Sequence, residues 1–205
     1  MRNNYNQLNV NYFSSAKDSL IDPQAKEISE DVKWIKLDKK GESLEFPIMI
    51  CGEGDPLLCL HGFDSSFLEF RRIVPKLKTN FKLIIPDLLG FGFSPRVAKM
   101  DYTPQNIIQN LIDLLGELNI KNNLKIIGAS MGGSVALTLS GKLSKNIEKM
   151  ILLSPAGLFG EPKIIPVPLN QIGAAFLGTP FVRRNLCRQA FAFPDRSVGK
   201  KEEQI

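Results

Sequence analysis

Gly128-Ala129-Ser130-Met131-Gly132-Gly133 is the stretch of this chain whose residue types and spacing point most directly to chemistry. It follows the apolar run 124–127 and precedes a helical pattern over about 131–143, so G-x-S-x-G stands in a strand–turn–helix context. A serine at the tip of so sharp a turn must take up a strained backbone, and side chains two residues to either side would collide; Gly128 and Gly132 avoid this. The Ser130 hydroxyl is then presented at the C-terminal edge of a sheet, with a helix N-terminus behind it to favour developing negative charge. Ser130 is a candidate nucleophile. The plainer alternative is a glycine-rich turn that packs a helix on a strand.

Two further loops follow apolar runs in the same way. His61-Gly62-Phe63 comes after 57–60, and Asp87-Leu88-Leu89-Gly90-Phe91-Gly92-Phe93-Ser94 comes after 83–86. His61 is the only histidine in 205 residues. Acid–base chemistry near neutral pH leans on imidazole, so this count constrains every mechanism. Three cysteines, Cys51, Cys59 and Cys187, offer neither metal-ligand spacing nor an even disulfide framework; Cys59 lies in an apolar run and reads as a core residue.

The elements that must position these residues are legible from patterning. Segments 32–38 and 44–51 alternate apolar and polar residues around the turn Lys39-Lys40-Gly41-Glu42, as a half-buried hairpin does. The runs 57–60, 83–85, 124–127 and 150–153 are apolar on both faces, which suits the buried strands of a parallel sheet. Between them lie helical spacings: Phe67, Phe70, Val74 and Leu77 within 65–78, and Ile107, Ile108, Leu111, Leu114, Leu115 and Leu118 within 103–118, where Thr103-Pro104 supplies a cap. Residues 1–30 lack sustained periodicity and are read as a frayed terminus with one short helix near 25–31. The fold class is α/β: a doubly wound, mostly parallel sheet with an antiparallel start.

Composition narrows the function classes. Forty-three per cent hydrophobic and 23% charged residues build a single sizeable core. The net charge of +5 is scattered, not gathered into a basic stripe with interleaved aromatics, so nucleic-acid binding is not indicated. The polar, asparagine-rich N-terminus has no apolar signal-like core, and no 18-residue apolar stretch occurs, so a cytoplasmic chain without a membrane span is expected.

Taken in order, the strand–His61-Gly62-Phe63 loop, the D-x-x-G-x-G-x-S loop from Asp87 to Ser94 and the G-x-S-x-G turn around Ser130 resemble the α/β-hydrolase family over about residues 32–205. The resemblance implies Ser130 as nucleophile and the backbone N–H groups of Phe63 and Met131 as an oxyanion hole, each worth about 3–4 kcal/mol to the transition state. It implies supporting roles for His61, Gly62, Gly128, Gly132 and Asp87, with His61 buttressing the oxyanion loop and Asp87 fixing its own loop. Asp64 is expected to cap the helix beginning near Ser65. Serine at the elbow implies acyl transfer on a small apolar ester, thioester or carbon–carbon substrate, with no metal or organic cofactor. The implied organisation is an N-terminal extension (1–31), a partial core holding the first six strands (32–158) and the start of a helical cap (159–205).

In the family the triad acid and histidine follow later strands, and here no histidine lies beyond position 61. The chain is therefore expected to be truncated before both, to turn over very slowly, and to self-associate through the exposed edge of its sixth strand. Two other readings stay open: a catalytically dead relic that binds a ligand or partner, and a site in which His61 serves as an unconventional base.

Overall fold

Apolar alternation and apolar runs place the strands. The computed structural model describes residues 4–39, 41–97, 100–157 and the single positions 179, 181, 182 and 185. Strands β1 (Val32–Lys39) and β2 (Glu42–Cys51) form the antiparallel hairpin, in register from Val32↔Met49 to Lys39↔Glu42. Strands β3 (Asp55–Leu60), β4 (Phe81–Pro86), β5 (Leu124–Ala129) and β6 (Ile147–Leu153) run parallel to one another, and β2 meets β4 antiparallel. The six-stranded sheet has the order β1-β2-β4-β3-β5-β6. This is the α/β, mostly parallel architecture that the patterning predicts.

Helices cover both faces, which is why the central strands are apolar on both sides. Leu58, Leu60 and Ile84 pack with Ile108 and Leu111 of α4 (Pro104–Glu117) and with Ala136 and Leu139 of α5 (Met131–Lys142). Their alternate neighbours Cys59, Leu83 and Ile85 pack the other way, against Phe13, Ala25, Ile28, Phe67 and Phe70. Helix α4 starts as expected: the Thr103 side chain accepts the Asn106 N–H at 3.3 Å and Pro104 takes the first turn.

Three expectations need correction. Residues 1–30 are not mostly frayed: α1 (Asn4–Ser19) and α2 (Pro23–Ser29) form there, and Phe13 sits edge-on to Trp34 and Phe93 at centroid distances of 5.8 and 5.0 Å. Weak helical periodicity concealed α1, because its order comes from a few aromatic contacts and not from a broad apolar stripe. The helix expected over 65–78 is instead a 3₁₀ turn, Phe67–Phe70, followed by the short α3 (Val74–Leu77). Pro75 explains the break, since in a continuous helix its ring would strike the Arg71 carbonyl. Asp64 is not the cap: it sits at φ 54°, and Ser66 caps the turn by accepting the Leu68 N–H at 3.3 Å. The expected cap segment, 159–205, and Cys187 lie outside the described residues apart from four single positions.

Candidate active site

Parallel strands present their C-terminal ends at one edge of a sheet, where ligand crevices form. Strands β3 and β5 are adjacent, with Leu60 paired to Gly128, so the next residues of each, His61-Gly62 and Ala129-Ser130, meet at that edge. Ser130 stands between β5 and α5 at φ 50° and ψ −115°, a conformation that costs about 1–3 kcal/mol and persists only where its surroundings impose it. They do. The Ser130 N–H donates to the Leu153 carbonyl at 2.9 Å, and the Ser130 carbonyl accepts from Gly133 and from Ala156 at 3.0 and 2.9 Å. The loop after β6 thus grips the turn, and the Ser134 hydroxyl adds a bond to the Ala156 carbonyl.

Close approach explains the two glycines around Ser130. A Cβ on Gly132 would lie 2.0 Å from the Leu60 carbonyl oxygen, and one on Gly128 would lie 2.5 Å from that of Gly132. Both obstacles are backbone, so α5 can seat against β3 and β5 only without these side chains. Met131 is the first residue of α5, so its N–H has no acceptor within the helix and points out of its N-terminus.

His61 is fully buried, and both ring nitrogens are engaged: Nδ1–H donates to the Gly62 carbonyl at 2.8 Å, and Nε2 accepts the Leu88 N–H at 3.0 Å. Burial pushes its pKa down to about 4, against a smaller upward pull from the Gly62 carbonyl. A neutral imidazole locked on two backbone groups is a brace between loops; as a base for Ser130 it would first have to break them. Phe63 is 73% exposed and stands edge-on to Phe91, whose ring in turn meets His61.

Asp87 braces a second pair of loops. Its carboxyl accepts the N–H of Phe67 at 2.6 Å and of Phe93 at 2.7 Å, while its carbonyl accepts the Ser94 hydroxyl at 2.9 Å. A Cβ on Gly92 would fall 2.3 Å from Oδ2, so the loop wraps the carboxyl closely enough to demand glycine. Burial raises the Asp87 pKa from 3.8 to about 7, with the two N–H donors pulling the other way.

Sequence reasoning missed Glu69. Its Oε2 accepts the Gly62 N–H at 2.8 Å, and a Cβ on Gly62 would lie 3.6 Å from that oxygen and 3.5 Å from Ser130 Cβ. Ser66-Phe67-Leu68-Glu69 has the S-x-x-E form of a capping box, which predicts a bond from Glu69 back to its own turn. The side chain reaches across to the His61 loop instead, a pairing seven residues apart that local pattern does not encode. Cys59 is no rival nucleophile, because burial pushes its thiol up to about 12. Among the described residues no three His, Cys, Asp or Glu side chains gather as metal ligands, and no helix is long and apolar enough to cross a membrane.

Comparison with known proteins agrees with the mostly parallel α/β fold. A family model for the alpha/beta hydrolase fold matches residues 55–187. The chain is 38% identical to lipase 3 of a Moraxella species over 129 residues, covering 63% of this chain and 39% of that protein. It is 32% identical to cis-3-alkyl-4-alkyloxetan-2-one decarboxylase of Shewanella oneidensis over 136 residues, covering 64% and 42%. A solved meta-cleavage product hydrolase from Pseudomonas fluorescens superposes with a TM-score of 0.65 at 25% identity, over 84% of this chain and 61% of that one. The chain thus spans about two fifths of the length of these two curated relatives.

Proposed function

From the premise that this chain belongs to the α/β-hydrolase fold family, we propose that it carries the nucleophile and oxyanion loop of a serine hydrolase acting on a small apolar ester, thioester or carbon–carbon substrate. Ser130 Oγ attacks the substrate carbonyl carbon and gives up its proton to a base, and the leaving group departs with a proton, leaving an acyl-Ser130 that water hydrolyses. The N–H groups of Phe63 and Met131 receive the developing oxyanion. The observation that carries this reading is the forced left-handed backbone of Ser130 at the end of β5, with the Gly62 loop 3.5 Å from its Cβ when measured from a Cβ position on Gly62. Two relatives, named a lipase and a 2-hydroxymuconate semialdehyde hydrolase, support hydrolysis of a small substrate.

The lone histidine does not stand ready as the base, since His61 is committed to Gly62 and Leu88. Turnover by the 205-residue chain alone is therefore expected to be very low, and catalysis calls on a base from outside the described residues. That same observation favours a second reading, a ligand-binding relic. A fluorophosphonate probe decides between them: with the protein expressed from its natural reading frame, Ser130 is labelled and Ser130→Ala is not. A well-folded protein that resists the probe, and binds an apolar acyl ligand equally well as Ser130→Ala, would sink the nucleophile and leave the relic.

The edge strand β6 completes the proposal on partners. Ile151 and Leu153 are 56% and 49% exposed along a strand paired only to β5 among the described residues, which supports self-association through this edge.

A further inference from the structure

We propose that Glu69 is a positioning residue for the oxyanion loop, its carboxylate holding the Gly62 N–H; the inference rests on the serine-hydrolase reading for its kinetic consequence only. Gly62 is gripped from both sides, by Glu69 Oε2 on its N–H at 2.8 Å and by His61 Nδ1–H on its carbonyl at 2.8 Å. A trans peptide sets the N–H of Phe63 opposite the Gly62 carbonyl, so anchoring that carbonyl on His61 turns the Phe63 N–H the other way. The Gly62 N–H belongs to the preceding peptide, so Glu69 fixes the His61–Gly62 plane while His61 fixes the Gly62–Phe63 plane, and the backbone is held on both sides of the Gly62 Cα. Without Glu69 the His61–Gly62 plane is free to turn, the Gly62 Cα on which the next plane hangs shifts with it, and the Phe63 N–H loses its aim.

Glu69 itself is held firmly. Its 3₁₀ turn is capped by Ser66, tied to Asp87 through the Phe67 N–H, and followed by Arg71, whose Nε donates to Asp22 Oδ2 at 2.7 Å while Nη1 donates to the Leu68 carbonyl at 3.3 Å. Phe67, Leu68 and Phe70 are all buried, which leaves Glu69 as the residue of the turn that faces outward to the loop. Asp22 caps α2, so the N-terminal helices, which lie ahead of the family match at 55–187, brace the turn that holds Gly62.

The test compares Glu69→Gln, which keeps an acceptor oxygen, with Glu69→Ala, which does not. On the 205-residue chain, amide hydrogen exchange read by NMR is expected to be about tenfold faster at Gly62 in Glu69→Ala, the loss of one charge-assisted hydrogen bond, and within about twofold of wild type in Glu69→Gln. On the protein from its natural reading frame, the fluorophosphonate rate constant for Ser130 falls about tenfold in Glu69→Ala with unchanged probe affinity, and glutamine restores it. Unchanged Gly62 exchange in Glu69→Ala overturns the proposal, and so does slowed labelling that glutamine fails to restore. If wild-type Ser130 is not labelled at all, the serine-hydrolase reading fails by itself, and the Gly62 exchange then supports or overturns the Glu69 contact on its own.

Discussion

Replacing Asp87 by asparagine tests how the loops beneath the site are held. Asp87 is fully buried with its pKa raised from 3.8 to about 7, so between those values the unfolded chain surrenders a proton that the folded one keeps. Stability therefore falls as pH rises through this window, by 1.36 kcal/mol per unit, or about 4 kcal/mol in all. His61 acts in the opposite sense. Its pKa drops from 6.5 to about 4 on burial, so between those values the unfolded imidazole is charged and the folded one neutral, and stability rises with pH by about 3 kcal/mol. In the wild type the two slopes nearly cancel between pH 4 and 6.5, whereas in Asp87→Asn only the His61 slope remains. Urea denaturation at one fixed protein concentration, repeated at half-unit steps from pH 4 to 8, measures both curves. The advantage of wild type over Asp87→Asn is expected to shrink by about 4 kcal/mol from pH 4 to 7. Asparagine also leaves one of two N–H donors, Phe67 or Phe93, without an acceptor, a further cost of about 1–3 kcal/mol at every pH. Parallel curves for the two proteins would refute the reasoning, because they would mean that the two donors outweigh burial and keep Asp87 ionised throughout.

Gly132→Ala sets a methyl group against the Leu60 and His61 carbonyls, which cannot yield; a loss of about 3 kcal/mol in urea is expected, with fluorophosphonate labelling of Ser130 abolished. Phe13→Ala removes a ring that meets Trp34, Phe67 and Phe93, and it is expected to cost about 3–4 kcal/mol and to shift the emission of the sole tryptophan to the red. Unchanged emission would show that α1 is not docked in solution. Ile151→Lys places a charge on the exposed β6 edge and should move the protein to smaller species in sedimentation velocity; a wild type that is already monomeric would remove the self-association proposal.

The alternation of segments 32–38 and 44–51 and the apolar runs that became β3, β4 and β5 were readable because burial on one or two faces leaves a pattern that survives in one dimension; the run that became β6 was readable too, but it is half-exposed and not the buried strand its apolar residues suggest. The turn around Ser130 was readable for a related reason, since close backbone packing admits glycine and little else at 128 and 132. Helix α1 was not, because Phe13 is ordered by Trp34, Phe67 and Phe93, which are distant in the chain. Pro75 was visible as a breaker, yet helical spacing of Phe67, Phe70 and Val74 masked it: all three are buried on the same side whether the segment is one helix or two pieces.

By itself, then, the sequence determined the six strands in chain order, helices α4 and α5, the serine turn and the presence of a single imidazole, because these depend on local sterics, hydrophobic period and composition. The tertiary structure alone decided what the lone histidine does and which carboxylate reaches the oxyanion loop. Neighbouring β3 and β5 bring His61 and Ser130 to one edge, but burial and two backbone partners take the imidazole out of use as a base. Glu69, which local pattern assigns to its own helical turn, finds the Gly62 N–H only once the chain has folded back, since hydrogen-bond partners are chosen by proximity in space and leave no period in the sequence.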